Sequence, residues 1–354
     1  SGGEIAPPDV GAVRDALQQL LMGVVDPVQA GGLLAALAAV RPNADVLAAG
    51  ATVLRDHAVA VAPTVRPLVD TCGTGGDGSG SFNISTAAAL TLVAAGLPVA
   101  KHGNRAVSSK VGSADVLMAC GVAMEIGADD AARLLSQTGF AFLFAPGFHP
   151  AMAHVAPFRR RLGIRTLFNL LGPLANPAAA EIQLLGVFSP ELTLPMAEAL
   201  QQLGTRTALV VHCPLPDGNG GLDELGLHGP SQGHLLRDGK IAPFHLDPRD
   251  LNLQPAPPEA LVGGASAEEA GRLMQQVLGG EPGACSDATA LNAGAALWLA
   301  GKVADVGEGV SAAKALLVSG APEAALRRYR EATQEGVGLV RSGGAPAHGV
   351  EAGR

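Results

Sequence analysis

A glycine-rich segment after a short apolar run could bind an anion. The run Leu68–Cys72 is followed by Gly73–Gly80 (GTGGDGSG), and Asn83, Ser85 and Thr86 lead into an Ala-rich helical stretch. A strand, a glycine-rich turn and a helix start together present free backbone N–H groups, and glycines let an anion approach the backbone closely. This spacing predicts a phosphate-binding loop.

The same glycines must be weighed against two nucleotide-binding motifs. Gly73, Gly75 and Gly78 match G-x-G-x-x-G, but a dinucleotide site needs an acidic residue after the next strand to bind ribose hydroxyls. That strand ends here in Lys101-His102, which favours another phosphate, and no Gly-Lys-Ser/Thr follows to make a P-loop. A turn without a ligand stays the alternative for the motif alone.

A second polar cluster follows the next apolar run. The segment from Lys101 to Ser113 (KHGNRAVSSKVGS) contains three cations, one histidine, one asparagine and three serines. Such a donor-rich loop could surround phosphate oxygens, and its alternative is a solvated polar loop. In a chain with a formal charge of −8, a local group of cations beside a glycine loop favours anion binding.

The first part of the chain has the pattern of a small helical unit. Apolar residues from Val10 to Leu21 repeat with helical spacing, Asp26-Pro27 is a helix start leading to about Val40, and Asn43 could cap a third helix towards Val61. We therefore expect residues 1–65 to be helical.

After Pro67 the pattern changes to short apolar runs separated by longer Ala-rich helical segments. This alternation predicts an α/β fold with a mostly parallel sheet, whose ligands lie beyond the carboxyl ends of the strands. Two later runs around Asp238-Gly239 predict a hairpin with a two-residue turn. The predicted strands are Leu68–Cys72, Leu97–Lys101, Phe140–Phe144, Gln183–Phe188 and Arg206–His212, with Leu235–Arg237 and Lys240–Phe244 in the hairpin.

Composition excludes several classes of protein. A chain of 354 residues predicts about two domains, and its 24 Lys+Arg against 32 Asp+Glu with 3% aromatic residues disfavours sequence-independent nucleic-acid binding. The longest low-polarity run, Ala87–Ala100, is too short to span a membrane. Four widely spaced cysteines without a C-x-x-C pair indicate a reducing, cytoplasmic setting.

Four blocks, in order, resemble the signature blocks of the anthranilate phosphoribosyltransferases. The resemblance extends from about Val10 to Arg330, and the K-H-G-N block separates this family from the related pyrimidine nucleoside phosphorylases. Asp223-Glu224 follows at the expected place. The blocks are Gly73–Asp77 (GTGGD), Asn83–Thr86 (NIST), Lys101–Arg105 (KHGNR) and Arg165–Leu174 (RTLFNLLGPL).

The resemblance implies a fold and an activity. The fold would be a small all-helical N-terminal domain (1–65) joined, through a helical segment within about 150–180, to an α/β domain (66–149 and 181–341), with a disordered tail at 342–354. The reaction would transfer the phosphoribosyl group of 5-phosphoribosyl 1-diphosphate to the amine of anthranilate, in tryptophan biosynthesis. Family members are usually homodimers through the helical domain.

The resemblance also implies which residues bind the phosphoribosyl donor and the metal. Asp223 and Glu224 offer the hard oxygen ligands that Mg²⁺ takes alongside phosphates, and Ser85 would add a hydroxyl to one of two magnesium ions. On spacing alone, the two carboxylates are ordinary acidic surface. The residues implied for 5-phosphoribosyl 1-diphosphate are Gly73, Gly76, Asp77, Ser81, Asn83, Ser85, Thr86, Lys101, His102, Gly103, Asn104, Ser108, Ser109 and Ser113.

For the aromatic acid, the resemblance points to Gly73, Asn104 and Arg159. An arginine can pair with a carboxylate through two hydrogen bonds, although a run of three arginines is also typical of a solvated helix face. No catalytic residue is assigned. His102 and His154 are the nearest histidines that could assist proton loss from the amine, and a buried structural role is the alternative for each.

Three departures from the family pattern concern details of the site. Val111 stands where serine is usual, Gly226 where serine or threonine is common, and Ser286 where arginine is usual. Two other functions stay open at this point. One is a phosphoribosyltransferase or nucleoside phosphorylase of the same fold that acts on another base or arylamine, and the other is a non-catalytic phosphate-binding relative.

Overall fold

A largely parallel sheet forms the centre of the molecule. The computed structural model describes residues 8–105, 111–216 and 220–342. The strand order is β3-β2-β1-β4-β5-β7-β8, with β6 paired to β5, and the pairs among β1 to β5 on this path are parallel. The strands are β1 Val69–Gly73, β2 Val99–Gly103, β3 Phe140–Phe144, β4 Ile182–Gly186, β5 Thr207–Pro214, β6 Gly221–Leu222, β7 Ser231–Arg237 and β8 Lys240–Leu246.

Helices precede the sheet and cover both of its faces, which confirms the predicted α/β class with a helical N-terminal region. The helices are α1 Val10–Met22, α2 Pro27–Ala39, α3 Ala44–Asp56, α4 Ile84–Ala94, α5 Ser113–Ala119, α6 Ala128–Thr138, α7 Ala145–Phe148, α8 Ala156–Leu162, α9 Phe168–Leu174, α10 Thr193–Gln202, α11 Ala267–Leu278, α12 Ala284–Leu299, α13 Val306–Val318 and α14 Ala321–Ser342.

Side-chain caps define the first three helices. Asp9, Asp26 and Asn43 each accept a hydrogen bond from a backbone N–H in the first turn of the helix that follows. The third helix ends at Asp56, earlier than the predicted Val61. The backbone N–H groups of Val59 and Val61 donate to carbonyls of distant segments instead of continuing the helix.

The predicted strands are present, with ends displaced by one or two residues except at β3. The glycines that end β1, β2 and β4 continue the ladder, because a parallel register pairs Gly73 with Gly186. The predicted hairpin is also confirmed, and both of its strands are longer than expected. Asp238 and Gly239 have φ values of 52° and 69°, as a two-residue type I′ turn requires.

Two large apolar clusters lie on opposite faces of the sheet. Val99 and Leu209 pack with α4 and α12 on one face. Leu185 and Val210 pack on the other face with α10 and with residues of the N-terminal helices such as Leu17 and Leu47. Parallel sheets are normally covered in this way, so the strands are buried on both sides.

Two expectations concern the environment of the chain. Each of the four cysteines is buried and forms no disulfide. Among the described residues, no helix has both the length and the apolar character needed to cross a membrane.

Parts of two predicted irregular segments lie outside the described residues. Of the predicted tail 342–354, Ser342 is the last residue of α14, and residues 343–354 are not described. The sequence also predicts a Gly/Pro loop at 214–221, and residues 217–219 of this loop lie outside the described part of the chain.

A buried tyrosine gives a test of the fold. The Tyr329 hydroxyl accepts the Phe142 N–H of β3 at 2.9 Å, and its ring meets Phe140 edge-on. We expect Tyr329→Phe to lower the free energy of unfolding by about 1–3 kcal/mol, because a buried N–H loses its acceptor. Gln18→Ala, at an exposed position of α1, should change it by less than about 0.5 kcal/mol. Denaturant titration distinguishes the two, and equal values would contradict this role of Tyr329.

Candidate active site

Two neighbouring cavities open at the carboxyl ends of β1 and β2. The first, here the apolar cavity, has a volume of about 380 Å³ and lies between these strand ends, α8 and α9. The second, here the glycine-loop cavity, has a volume of about 250 Å³ and lies between the loop after β1 and Asp223-Glu224. They share a wall formed by Cys72, Gly73, Thr74, His102, Gly103, Asn104 and Asn169.

Two glycines at the carboxyl ends of central strands make room for the segment that contains Asp223. Gly73 and Gly186 are register partners at the ends of β1 and β4. A Cβ on Gly73 would collide with the Asp223 carboxylate, and a Cβ on Gly186 would collide with the Asp223 backbone. Gly75, with φ +69°, then turns the loop so that its N–H donates to Asp223 Oδ2 at 2.7 Å.

The neighbouring carboxylates Asp223 and Glu224 are both buried. Glu224 Oε1 accepts the Ser85 N–H in the first turn of α4 at 3.1 Å. Burial, followed by the negative charge of Asp77, raises the pKa of Asp223 to about 7. Burial, followed by the charge of Asp223, raises the pKa of Glu224 to about 8. The two ionised groups therefore repel each other, and a cation between them and a ligand would be stabilised.

Lys101 places a cation beneath the same cavity. Its ammonium group is buried and donates to Ser85 Oγ at 3.0 Å and to the Thr71 carbonyl. Lys101 also lowers the pKa of Glu224, although by less than burial and Asp223 raise it. The parallel register puts Lys101 beside Thr71 in the middle of β1, and its side chain lines the glycine-loop cavity from below.

The charges around the glycine-loop cavity do not by themselves favour a polyanion. Three carboxylates, those of Asp77, Asp223 and Glu224, line it against the cations Lys101 and Arg105. Among the described residues, no group of three or more His, Cys, Asp or Glu side chains is arranged to hold a metal ion. Two carboxylates beside the Ser85 hydroxyl are nevertheless the donor types that Mg²⁺ prefers, and their buried repulsion fits a bound cation.

Among the described residues that line the apolar cavity, Arg159 is the one cation. Arg159 of α8 donates through Nη2 to Asn169 Oδ1 at 3.2 Å and lies over the Phe168 ring at 5.7 Å. Asn169 Oδ1 also accepts the Thr166 N–H, which orients the amide. The next residue, Arg160, is exposed and lines neither cavity. An apolar cavity with one held guanidinium suits a flat acid with one carboxylate.

His102 lies in the shared wall with a defined tautomer. Nδ1 is 3.0 Å from the Gly172 carbonyl, so Nδ1 carries the proton, and Nε2 has no partner among the described residues. Burial, followed by His149 with its ring centre 4.9 Å away, lowers the pKa of His102 to about 3. His102 is therefore neutral, and its free Nε2 is an acceptor.

Most of the predicted site residues meet at the two cavities. Arg159 lines the apolar cavity, and Gly73 and Asn104 line both. Cys72, which ends the first predicted strand, is buried, and burial raises the pKa of its thiol. The predicted residues that line the glycine-loop cavity are Gly73, Gly76, Asp77, Ser81, Asn83, Ser85, Lys101, His102, Gly103, Asn104, Ser113, Asp223 and Glu224.

Four predicted residues are not placed at the cavities. The Thr86 side chain is fully buried in α4 and lines neither of them. His154 is exposed at the end of a 3₁₀ turn, where its ring lies against Gly23, outside both cavities. Ser108 and Ser109 lie outside the described residues.

Three residues that the sequence did not single out belong to the site. Gly186 admits the Asp223 backbone, Asn169 orients Arg159, and His149 packs against His102. Asn169 lies within the block Arg165–Leu174, although the sequence indicated no role for it. Its place in that block was the feature of the sequence that could have indicated a site residue. For Gly186 and His149, no pattern in the neighbouring sequence indicates that a distant segment packs against either residue.

The departures from the family pattern have local explanations in two cases. A Cβ on Gly226 would lie 2.5 Å from Cys213 Sγ and 2.9 Å from His228, so this chain has no room for a larger residue there. Val111 packs against the main apolar cluster at the edge of the glycine-loop cavity. Nothing in the structure explains Ser286.

Comparison with known proteins identifies the family. A profile described as "Glycosyl transferase family, a/b domain" matches residues 65–323. Anthranilate phosphoribosyltransferase of Laribacter hongkongensis is 45% identical over 322 residues, which cover 91% of this chain and 92% of the relative. The chain belongs to the anthranilate phosphoribosyltransferase family.

Solved structures of anthranilate phosphoribosyltransferases share the fold. The crystal structure of the enzyme from Thermus thermophilus is 45% identical, with a TM-score of 0.85 over 93% of this chain and 96% of that one. The enzyme from Saccharomyces cerevisiae, in complex with PRPP and Mg, is 26% identical, with a TM-score of 0.83 over 92% and 94%.

The buried carboxylate pair predicts a stability effect that does not depend on catalysis. We expect Asp223→Asn with Glu224→Gln to raise the free energy of unfolding of the metal-free protein by about 1–3 kcal/mol at pH 8. Neutral amides end the repulsion, while their oxygens can still accept the Gly75 and Ser85 N–H groups.

The size of this gain depends on pH. Raised folded-state pKa values make the parent protein lose stability as pH rises from about 4 to about 8, so the gain in the double variant should be smaller at pH 5. Thermal unfolding with a chelator present, at pH 8 and at pH 5, measures the gain in stability at each pH. The exposed Glu259→Gln is the control. A lower midpoint for the double variant at pH 8 would contradict the account.

Proposed function

We propose that this chain transfers the phosphoribosyl group of 5-phosphoribosyl 1-diphosphate to the amine of anthranilate, which gives N-(5-phosphoribosyl)anthranilate and diphosphate in tryptophan biosynthesis. The observation that carries this proposal is the shared wall between a glycine-loop cavity and an apolar cavity with one guanidinium. A polyanionic donor in the first and an aryl carboxylate in the second would bring the two reacting atoms together at that wall.

The glycine-loop cavity would bind the donor. The backbone N–H of Gly76 in the glycine loop, with Lys101 beneath it, can donate to phosphate oxygens. Asp77 holds the loop, since its carboxylate accepts from the backbone N–H and the hydroxyl of Ser79. Ser81, Asn83 and the other predicted residues of this wall would complete the set of donors.

Asp223, Glu224 and the Ser85 hydroxyl would hold magnesium, with substrate phosphates as the remaining ligands. The buried, mutually repelling carboxylates support this assignment, and the yeast relative binds Mg with PRPP. We propose two ions, one of them at Ser85. Bound Mg²⁺ supplies positive charge against the diphosphate that leaves.

The apolar cavity would bind anthranilate. Arg159 pairs with its carboxylate, held in place by Asn169, while the ring lies among apolar side chains of the cavity such as Met152 and Pro173. Asn104 and the backbone at Gly73 would orient the amine towards the donor, because both line the two cavities.

The reaction itself then needs neither a strong general acid nor a strong general base from the protein. The anomeric C–O bond to diphosphate breaks, the C–N bond forms, and the amine loses one proton. An arylammonium group is itself acidic, so a weak acceptor suffices. Nε2 of His102 is neutral but has almost no surface open to the cavities, so we propose that solvent water takes the proton and that His102 shapes the shared wall.

The alternative is a same-fold transferase or phosphorylase that acts on another base or arylamine. The Arg159–Asn169 pair favours an acceptor with a carboxylate, which nucleobases lack. The acidic pair Asp223-Glu224 favours a metal-dependent diphosphate donor over a phosphorolytic reaction without metal. Side-by-side assays with anthranilate and with free bases separate these functions.

Three further assignments follow from the resemblance and from surface features. We propose a helical domain at 1–65 that is joined through about 150–180 to an α/β domain, and a homodimer through the helical domain. Met22, Val24 and Val28 support such an interface, since these apolar side chains are 56%, 65% and 82% exposed near the α1–α2 turn. Four buried, unpaired thiols support a cytoplasmic location.

A fluorescence assay with anthranilate, 5-phosphoribosyl 1-diphosphate and Mg²⁺ tests the function. We expect magnesium-dependent turnover that Asp223→Asn with Glu224→Gln lowers at least about a hundredfold, because neutral amides cannot balance the metal. Circular dichroism should show an unchanged fold. An unchanged rate in the double variant at saturating Mg²⁺ would overturn the metal assignment, and no turnover by the parent protein would overturn the function.

Arg159 tests the acceptor cavity separately. Arg159→Ala should raise the KM for anthranilate by about ten- to a hundredfold, since a charge-assisted pair contributes about 1.5–3 kcal/mol, and should leave the KM for the donor nearly unchanged. Arg160→Ala, on the same helix but exposed, is the matched control and should change neither KM. Equal increases in both KM values for Arg159→Ala would indicate a structural arginine instead.

A further inference from the structure

The end of α9 is anchored by side chains from three separate elements. His102 of β2 bonds to the Gly172 carbonyl at 3.0 Å, Gln183 of β4 donates to the Pro173 carbonyl at 2.7 Å, and Arg55 of α3 donates through Nε to the Leu174 carbonyl at 2.8 Å. The last carbonyls of a helix have no partner within the helix, so Gln183 and Arg55 satisfy acceptors that the helix leaves free. The Gly172 carbonyl also accepts the Ala175 N–H, and His102 adds a second contact to it.

Arg55 differs from the other two donors in its origin and its charge. His102 and Gln183 belong to the sheet, whereas Arg55 belongs to the N-terminal helices. Its Nη1 also donates, at 3.4 Å, to the carbonyl of Leu203, the residue that ends α10. One guanidinium therefore joins α3 to the carboxyl ends of α9 and α10.

Helix dipoles compensate the charge of Arg55. Within the described part of the chain, Arg55 forms no ion pair with a carboxylate. The side chain is half-buried, and burial lowers its pKa because less water solvates the charge. The carboxyl end of a helix carries partial negative charge, and two such ends meet at this guanidinium.

The anchored helix forms one wall of the apolar cavity. Phe168, Asn169, Gly172 and Pro173 line it, and so does Leu54, the residue before Arg55. Asn169 lies one turn from the anchored end and accepts the Arg159 guanidinium. A shift of this seven-residue helix would therefore displace both the partner of Arg159 and the acceptor of His102.

We propose that Arg55 is a positioning residue for the acceptor cavity. It holds α9 against α3, and so sets the places of Asn169 and of the Gly172 carbonyl, without touching either substrate. Leu171, which packs closely over Gly50 of α3, supplies the apolar part of the same junction. This proposal rests on the proposed function, because it takes anthranilate as the ligand of that cavity.

The test compares Arg55→Met and Arg55→Lys in the full chain with the parent protein. We expect Arg55→Met to raise the KM for anthranilate about tenfold or more and to leave the KM for the donor within about twofold, since small misplacements at a site have large effects. Arg55→Lys keeps the charge and one donor, so it should recover part of the loss.

Arg66→Met is the matched control. Arg66 also donates to two backbone carbonyls, those of Ala178 and Ala179, but it lines neither cavity. The Arg66→Met variant should have a lower thermal stability and the same KM values for anthranilate and for the donor as the parent protein. Titration of anthranilate fluorescence measures binding of the acceptor directly. It should show clearly weaker binding for Arg55→Met, a smaller loss for Arg55→Lys and no loss for Arg66→Met.

The outcomes separate the two proposals. If the parent protein turns over anthranilate and Arg55→Met loses stability with both KM values unchanged, Arg55 is only structural and the inference is wrong. Equal increases in both KM values would also overturn it. A parent protein that neither binds nor turns over anthranilate would overturn the proposed function and the role of Arg55 together.

Discussion

The buried approach of Asp223 to the ends of β1 and β4 is the constraint on which the site depends. A carboxylate seated over a strand end requires that neither strand carry a Cβ there, and Gly73 and Gly186 meet that requirement as register partners. The same approach removes water from two adjacent carboxylates, which raises their pKa values and makes a cation necessary for stable ionisation. Sheet register thus determines the charge chemistry of the cavity.

A second consequence is that both cavities are built on the same few strand residues. Cys72-Gly73 and His102-Gly103 end neighbouring parallel strands, so each contributes to two cavities at once. Ligands of α/β proteins collect at the carboxyl ends of strands because loops and helix starts meet there. Here the ends of β1 and β2 separate a polar space from an apolar one, and a reaction between a polyanion and an aromatic acid needs both.

The sequence predicted the elements well and their long-range contacts poorly. Asp26, Asn43 and the turn Asp238-Gly239 act through neighbours in the chain, so their helices and hairpin could be predicted from local chemistry. Lys101 and Asp223 could be proposed as site residues because they stand in recognisable blocks. Gly186 and Arg55 act on segments brought close only by the fold, and Arg55 lies 119 residues from the carbonyl it contacts.

Helix α9 shows how such long-range contacts link the parts of the site. Its first turn holds Arg159 through Asn169, and its last turn holds the His102 tautomer through the Gly172 carbonyl. A short helix has few internal hydrogen bonds, so its place depends on the groups that satisfy its ends. Those groups come from two sheet strands and from α3. The N-terminal helices therefore contribute to the acceptor cavity through the orientation of α9 as well as through Leu54, which lines it directly.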